Sequence, residues 1–137
     1  MRFPDLLGAL AEGLAGLGRL SEAHATIEEA IERSNREEER WWLAELLRIK
    51  GELLLKEATA QPFPAAEDCF VGAIDLAREQ GALFWELRAA TSLARLWRDD
   101  GRPAEAMALL QPVYDRFTEG FETADLTAAG AILHALE

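Results

Sequence analysis

The sequence predicts an all-α fold: three stacked helix pairs followed by a single capping helix. The main observation is a motif written about three times. "GLGRLSEAHATIEEAIERS" carries the same pattern as "RDDGRPAEAMALLQPVYDR", with Gly18 matching Gly101, Ala23 matching Ala106, Ile27 matching Leu110 and Ala30 matching Val113. Between them, "PAAEDCFVGAIDLAREQG" places Ala66, Phe70, Ala73 and Ile74 on the same four-then-three spacing. Upstream of each copy lies a second apolar pattern. Leu7, Leu10, Ala11 and Leu14 match Ala90, Leu93, Ala94 and Trp97, and the middle copy supplies Leu47, Gly51 and Leu54. Spacings of three and four put such residues on one side of a helix. No alternation long enough for a strand competes with them.

Seven helices follow from period and punctuation. The first spans about Asp5 to Leu17, with Pro4 suited to a helix start, and Gly18 ends it. Ser21 is placed to cap the second, about Glu22 to Ser34. The third runs from about Glu38 to Glu57 through "WWLAELLRIKGELLLKE". "ATAQPFP" then forms a loop with two prolines, a few residues longer than the turns at Gly18 and Gly101. The fourth helix spans about Ala65 to Gln80, the fifth about Leu83 to Asp99 and the sixth about Pro103 to Phe117. They stop at or near Gly81, Gly101 and Gly120. Thr123 caps a seventh, about Ala124 to Leu136.

Helix pairs with small residues at their crossings, repeated at this spacing, are the signature of the tetratricopeptide class of right-handed α-solenoid. The pairs cover about residues 4–36, 38–80 and 82–118, with the capping helix at about 123–136, in one domain. Trp42 and Trp85 lie 43 residues apart, against a minimal unit of about 34, so the units are extended. The expected crossings are Ala11 with Ala23, Gly51 with Ala66, and Ala94 with Ala106. Leu10, Leu14, Ile27, Leu54, Phe70, Ile74, Leu93, Trp97 and Leu110 are the expected core.

Charge narrows the partners. The 25 acidic and 14 basic side chains leave a net charge of −11. Binding to phosphate draws on Lys and Arg, so nucleic acid and anionic membrane surfaces are disfavoured as partners. Cys69 is the single cysteine, so neither an intrachain disulfide nor a cysteine-built metal site is available. Beside Phe70 and Val71 it reads as a small buried hydrophobe. Asp5 and Glu12 interrupt any signal-peptide core, and no run approaches a membrane span of about 20 apolar residues. The expected location is the cytoplasm.

From Trp85 to Leu133 the sequence "WELRAATSLARLWRDDGRPAEAMALLQPVYDRFTEGFETADLTAAGAIL" resembles the C-terminal helical-repeat end of large bacterial signalling proteins. "RWWLAELLRIKGELLL" and "AAEDCFVGAIDLAREQGA" are similar to the same family. Those proteins carry a predicted-ATPase module ahead of the repeats, and many begin with a class III adenylate or guanylate cyclase or a transcription-regulator domain. The resemblance implies a regulatory interaction region without catalysis of its own. No GxxxxGK[ST] phosphate loop occurs in this chain, so any ATPase or cyclase activity would belong to other domains. No cofactor is implied.

The residues themselves offer little catalytic chemistry. His24 and His134 fall in different repeats without ligand spacing, and no serine sits in a nucleophile elbow. The groove face is more informative. In a tetratricopeptide array the first helix of each pair lines the concave side. Its outward register carries Asp5, Gly8 and Glu12, then Glu45, Arg48 and Glu52, then Arg88, Thr91, Arg95 and Arg98. We therefore single out Arg48, Glu52, Arg88, Thr91, Arg95 and Arg98 as candidate contacts to an acidic peptide or helix, because Arg makes bidentate contacts to carboxylates. The competing reading is that Glu45 pairs with Arg88, and Glu52 with Arg95, across neighbouring repeats. Trp97 is expected in the core, and Trp42 and Trp85 between repeats or as binding anchors. Trp41 and Phe84 are candidate exposed aromatic contacts. A protein or peptide segment, including the parent protein's own ATPase module, is the leading partner. Self-association is plausible through the exposed ends of the stack. An enclosed small-molecule pocket in the groove is the alternative function.

Overall fold

The computed structural model describes residues 11–14, 16, 18–36, 42–56 and 63–136. Helix α1 is described at residues 11–14 and 16. It is followed by α2 (Leu20–Arg36), α3 (Leu43–Lys56), α4 (Phe63–Gln80), α5 (Leu83–Asp99), α6 (Pro103–Tyr114) and α7 (Ala124–Leu136). Among the described residues there is no strand. The all-α expectation holds, with α5 and α7 at the expected bounds.

The repeated glycines make repeated turns. Gly81 and Gly101 have φ of 67° and 76°, a left-handed conformation that suits glycine because a side chain there meets the following carbonyl. At the first, Ala82 N–H donates to the Ala77 carbonyl at 2.9 Å and Gly81 N–H to Arg78 at 3.1 Å. At the second, Arg102 N–H donates to Trp97 at 2.8 Å and Gly101 N–H to Arg98 at 3.1 Å. Both are Schellman turns, which satisfy the last helical carbonyls and reverse the chain. The Arg19 N–H to Leu14 carbonyl bond, 2.9 Å, repeats the same step beyond α1.

Several helix ends differ from the sequence expectation, among them the end of α2 at Arg36 rather than Ser34. Ser21 does not cap α2, because the Gly18 turn delivers the chain into the helix at Leu20, two residues before the expected Glu22. α4 begins at Phe63, with Pro64 tolerated in its first turn, where its missing N–H costs nothing. α6 stops at Tyr114 rather than Phe117, because Arg116 and Phe117 N–H groups turn to i−3 carbonyls at Val113 and Tyr114. Thr123 does cap α7, its Oγ1 accepting from the Leu126 N–H at 3.5 Å. Residues 37–41, including the expected start of α3, lie outside the described residues.

Each helix from α2 onward packs on the next, and the odd-numbered helices also touch one another directly, α3 with α5 and α5 with α7. The odd helices thus form one layer. α3 shows why this consumes nearly all of its surface. Leu46, Ile49 and Leu53 enter a cluster with Ala11, Ala23, Ile27 and Ala30. On another side Leu47, Leu54 and Leu55 meet the larger cluster around Phe70, Leu87, Leu93 and Leu110. Outside both clusters lies the row Glu45, Arg48 and Glu52.

The crossings are tight where small residues were expected. Ala11, Ala23, Ala66, Ala94 and Ala106 are all fully buried. Gly51 is the closest approach, and its neighbour is Phe70 on α4: a Cβ added at Gly51 would lie 2.5 Å from the Phe70 ring. Ile27, Phe70, Ile74, Leu93 and Leu110 are buried as expected. Leu14, Leu54 and Trp97 are only half-buried at the margins of the clusters, and Cys69 is half-buried as well. Leu10 lies outside the described residues.

Candidate docking groove

The layer of odd helices brings equivalent residues of successive repeats side by side, in rungs that cross the helices. At the N-terminal edge Trp42 and Trp85 pack with ring centroids 5.0 Å apart, and Phe84 meets Trp85 edge-on at 5.5 Å. One turn further on comes an ionic rung. Arg88 of α5 reaches Glu45 of α3 at 2.9 Å and Asp125 of α7 at 2.9 Å. Arg48 closes on the same Glu45 with a two-pronged contact of 2.6 and 3.0 Å. The Glu45 and Arg48 side chains are 9 and 11 % exposed, so these charges satisfy each other largely out of water.

Burial works to lower the Arg48 pKa, but the hydrogen bonds from its guanidinium to Glu45, with the charges of Glu45, Glu12 and Glu52, outweigh it and hold the pKa above the ordinary value. Arg88 Nε is buried without an acceptor among the described residues. The guanidinium is oriented by its two carboxylates, and Nε is the donor that this geometry leaves over.

The next rungs are looser. Thr91 faces the groove but is buried, its hydroxyl donating back to the Leu87 carbonyl at 2.7 Å. Its side chain is committed to its own helix, the usual fate of a mid-helix threonine. Arg95 reaches Glu52 only at 3.9 Å, and its side chain is 45 % exposed. Two adjoining clefts meet here. One, of about 220 Å³, is lined by Glu12, Arg48, Ile49, Glu52, Leu53, Lys56 and Arg95. The other, of about 90 Å³, is lined by Arg48, Arg88, Thr91, Ser92, Arg95, Asp125 and Ala128. Arg48 and Arg95 line both.

Five of the six candidate groove residues therefore line these clefts. Arg98 does not: it lines neither and reaches its neighbour Asp99 at 3.1 Å. Of the two aromatic candidates only Phe84 is described, 47 % exposed. Trp41 lies outside the described residues. Asp125, Lys56 and Ser92 are site residues that the sequence pattern did not single out. Asp125 stands 37 residues after Arg88, whereas Arg88 stands 43 after Glu45, so a search at fixed period passes it by.

Charge is segregated between the layers. α2, α4 and α6 carry nine carboxylates against three cations. α3, α5 and α7 carry six cations against five carboxylates. The groove layer is close to neutral within an acidic protein. Among the described residues no group of three His, Cys, Asp or Glu is placed to hold a metal, and no helix is long and apolar enough to cross a membrane. The chain matches no protein-family model, no curated protein and no solved structure.

Proposed function

We propose that this chain is a docking module: a right-handed, tetratricopeptide-like array that receives a peptide segment in the groove of its odd helices. The observation that supports this most is the pair of adjoining clefts meeting at Arg95, where a cation stays exposed and loosely paired on the least acidic layer of the molecule. An arginine in that state can exchange a 3.9 Å contact for a bidentate bond to a partner's carboxylate. Regulation would follow if the partner offers that segment in one of its states and not in another.

On this reading the module has no catalysis of its own and works in the cytoplasm. Its partner is a protein, by sequence resemblance the ATPase module of a larger bacterial signalling protein, and not nucleic acid or membrane. A small-molecule sensor is less favoured, because the larger cleft falls below the about 300–1,000 Å³ of typical ligand pockets and its rim is charged.

A peptide array of acidic, neutral and basic sequences tests the proposal. Acidic peptides should be retained, and Arg95→Glu should release them while the melting temperature stays nearly unchanged. Equal retention by the Arg95→Glu protein, or no preference for acidic peptides, would overturn it.

A further inference from the structure

The outer face of α5 has two exposed ends and a closed middle. Phe84, Arg88, Thr91 and Arg95 are spaced by four, three and four residues, which places them along one stripe of a helix of 3.6 residues per turn. Arg88 is held between Glu45 and Asp125, and Thr91 is bonded to Leu87. Neither is free to take a ligand without losing what it has. Phe84 and Arg95, at the two ends, are 47 and 45 % exposed. Their chemistries differ, one an apolar ring supported edge-on by Trp85 and the other a cation.

We infer that the groove reads a bipartite peptide motif: an apolar or aromatic side chain on Phe84, and a carboxylate on Arg95. The inference rests on the docking reading above and specifies its ligand. The spacing follows from the helix. Eleven residues at 1.5 Å each separate the anchors by about 16 Å, which an extended peptide crosses in about five residues at 3.3 Å each. The rung between them has its polar groups paired and lines only the smaller cleft of about 90 Å³, so the intervening residues are read by size. Charge selects against the reverse arrangement. A lysine at the second position would meet Arg95 as a like charge, and a carboxylate at the first would meet the electron-rich face of the Phe84 ring. The occupant is therefore an extended acidic–apolar segment rather than a basic one.

Fluorescein-labelled peptides Trp–(Gly/Ser)n–Glu, with n of one, four or eight, supply the test by anisotropy. The n = 4 peptide should bind at least about tenfold more tightly than n = 1, the worth of one charge-assisted hydrogen bond. Arg95→Ala and Phe84→Ala should each weaken n = 4 about tenfold and bring it down to n = 1, while Arg98→Ala changes nothing. Phe84→Leu, which keeps an apolar anchor, should retain most of the affinity and guards against a folding defect in Phe84→Ala. Replacing the peptide's Glu by Lys should abolish binding to the natural protein and restore it to Arg95→Glu. If n = 1 and n = 4 bind alike and both need Arg95, the bipartite motif is wrong and the docking reading stands. If none binds by about 1 mM, the motif is wrong, and the peptide array separately decides the docking reading. Binding of n = 4 that ignores both anchors overturns the inference as well.

Discussion

Glu45 and Arg88 hold the same place in successive repeats, 43 residues apart, and are joined by a 2.9 Å ion pair. Each is shared: Glu45 also holds Arg48, and Arg88 also holds Asp125. The four charges alternate in sign across α3, α5 and α7, so the groove floor is an electrostatic clasp between repeats. Glu45 is its centre, because of the clasp's two carboxylates it is the one bonded to two guanidinium groups. Glu45→Ala should cost about 2–3 kcal/mol, between the worth of an exposed pair and of a buried one. Arg95→Ala, removing only a long exposed contact, should cost less than about 0.5 kcal/mol. Urea melts giving the two variants equal losses would show that the clasp carries no special weight.

Arg88→Glu should be worse than Arg88→Ala. It sets a third carboxylate against Glu45 and Asp125, removes the guanidinium that joins them and leaves Arg48 on Glu45. We expect a further loss of about 1–2 kcal/mol, partly recovered when Asp125→Lys is added. Thermal melts of the single and double variants measure the recovery, and strict additivity would contradict the geometry. Docking is accordingly tested at Arg95, where charge reversal leaves the scaffold intact.

Gly51 and Phe70 form the tightest crossing. A methyl group at Gly51 would sit 2.5 Å from a ring that is fully buried and has no room to turn away. Alanine improves helix propensity by about 1 kcal/mol, but overpacking costs about 1–3 kcal/mol. Gly51→Ala should therefore be neutral to destabilising, against its propensity. Phe70→Ala should cost about 3–5 kcal/mol. The double variant should be more stable than the sum of the two predicts, since the added methyl occupies part of the vacated space. Additive losses would mean that the two residues do not touch.

The sequence made the helix pairs legible because turn chemistry and packing both repeat. Gly81 and Gly101 mark identical chain reversals, and the Ala and Phe70 spacing marks the buried side of α4 and α6. The ion pairs were legible only as an alternative, because a charge on an outward register can serve a partner or a neighbouring repeat equally well. Pattern alone cannot weigh those two uses; distance does. Asp125 was missed because the last step between odd helices shortens from 43 to 37 residues. Thr91 and Arg98 share the same register with different outcomes: Thr91 lines the smaller cleft while its hydroxyl turns back to its own helix, and Arg98, nearly one turn beyond Arg95, lines neither cleft.

Cys69 offers a pH test of the core margin. Burial, its main influence, raises the thiol above its ordinary 9.0, while the Lys50 ammonium pulls the other way. Lys50 is itself raised above 10.5, chiefly by its hydrogen bond to Glu28. Both folded values exceed the unfolded ones. Their contributions are complete below about pH 9 and are lost as pH rises through the folded values. The natural protein should lose stability relative to Cys69→Ala as the pH rises above about 9. Parallel urea midpoints across that range would show the thiol to be as hydrated as in the unfolded chain.

Trp97 is expected from its register to be pure core, yet it is half-buried and polar at its rim. Its Nε1 donates to Glu67 of α4 at 2.8 Å, and Arg102 lies 4.8 Å over its ring while also reaching Glu67 at 3.3 Å. The indole thus ties the end of α5 to α4 and to the turn that begins α6. Trp97→Phe keeps most of the packing and loses the hydrogen bond, which should cost about 1 kcal/mol. Trp97→Leu also forfeits the guanidinium–ring contact, worth about 0.5–1 kcal/mol at an exposed site. A cycle of Trp97→Phe with Glu67→Ala isolates the bond, and we expect a coupling of about 0.5–1.5 kcal/mol. A coupling near zero, with Trp97→Phe as stable as the natural protein, would mean that Trp97 contributes only its buried area.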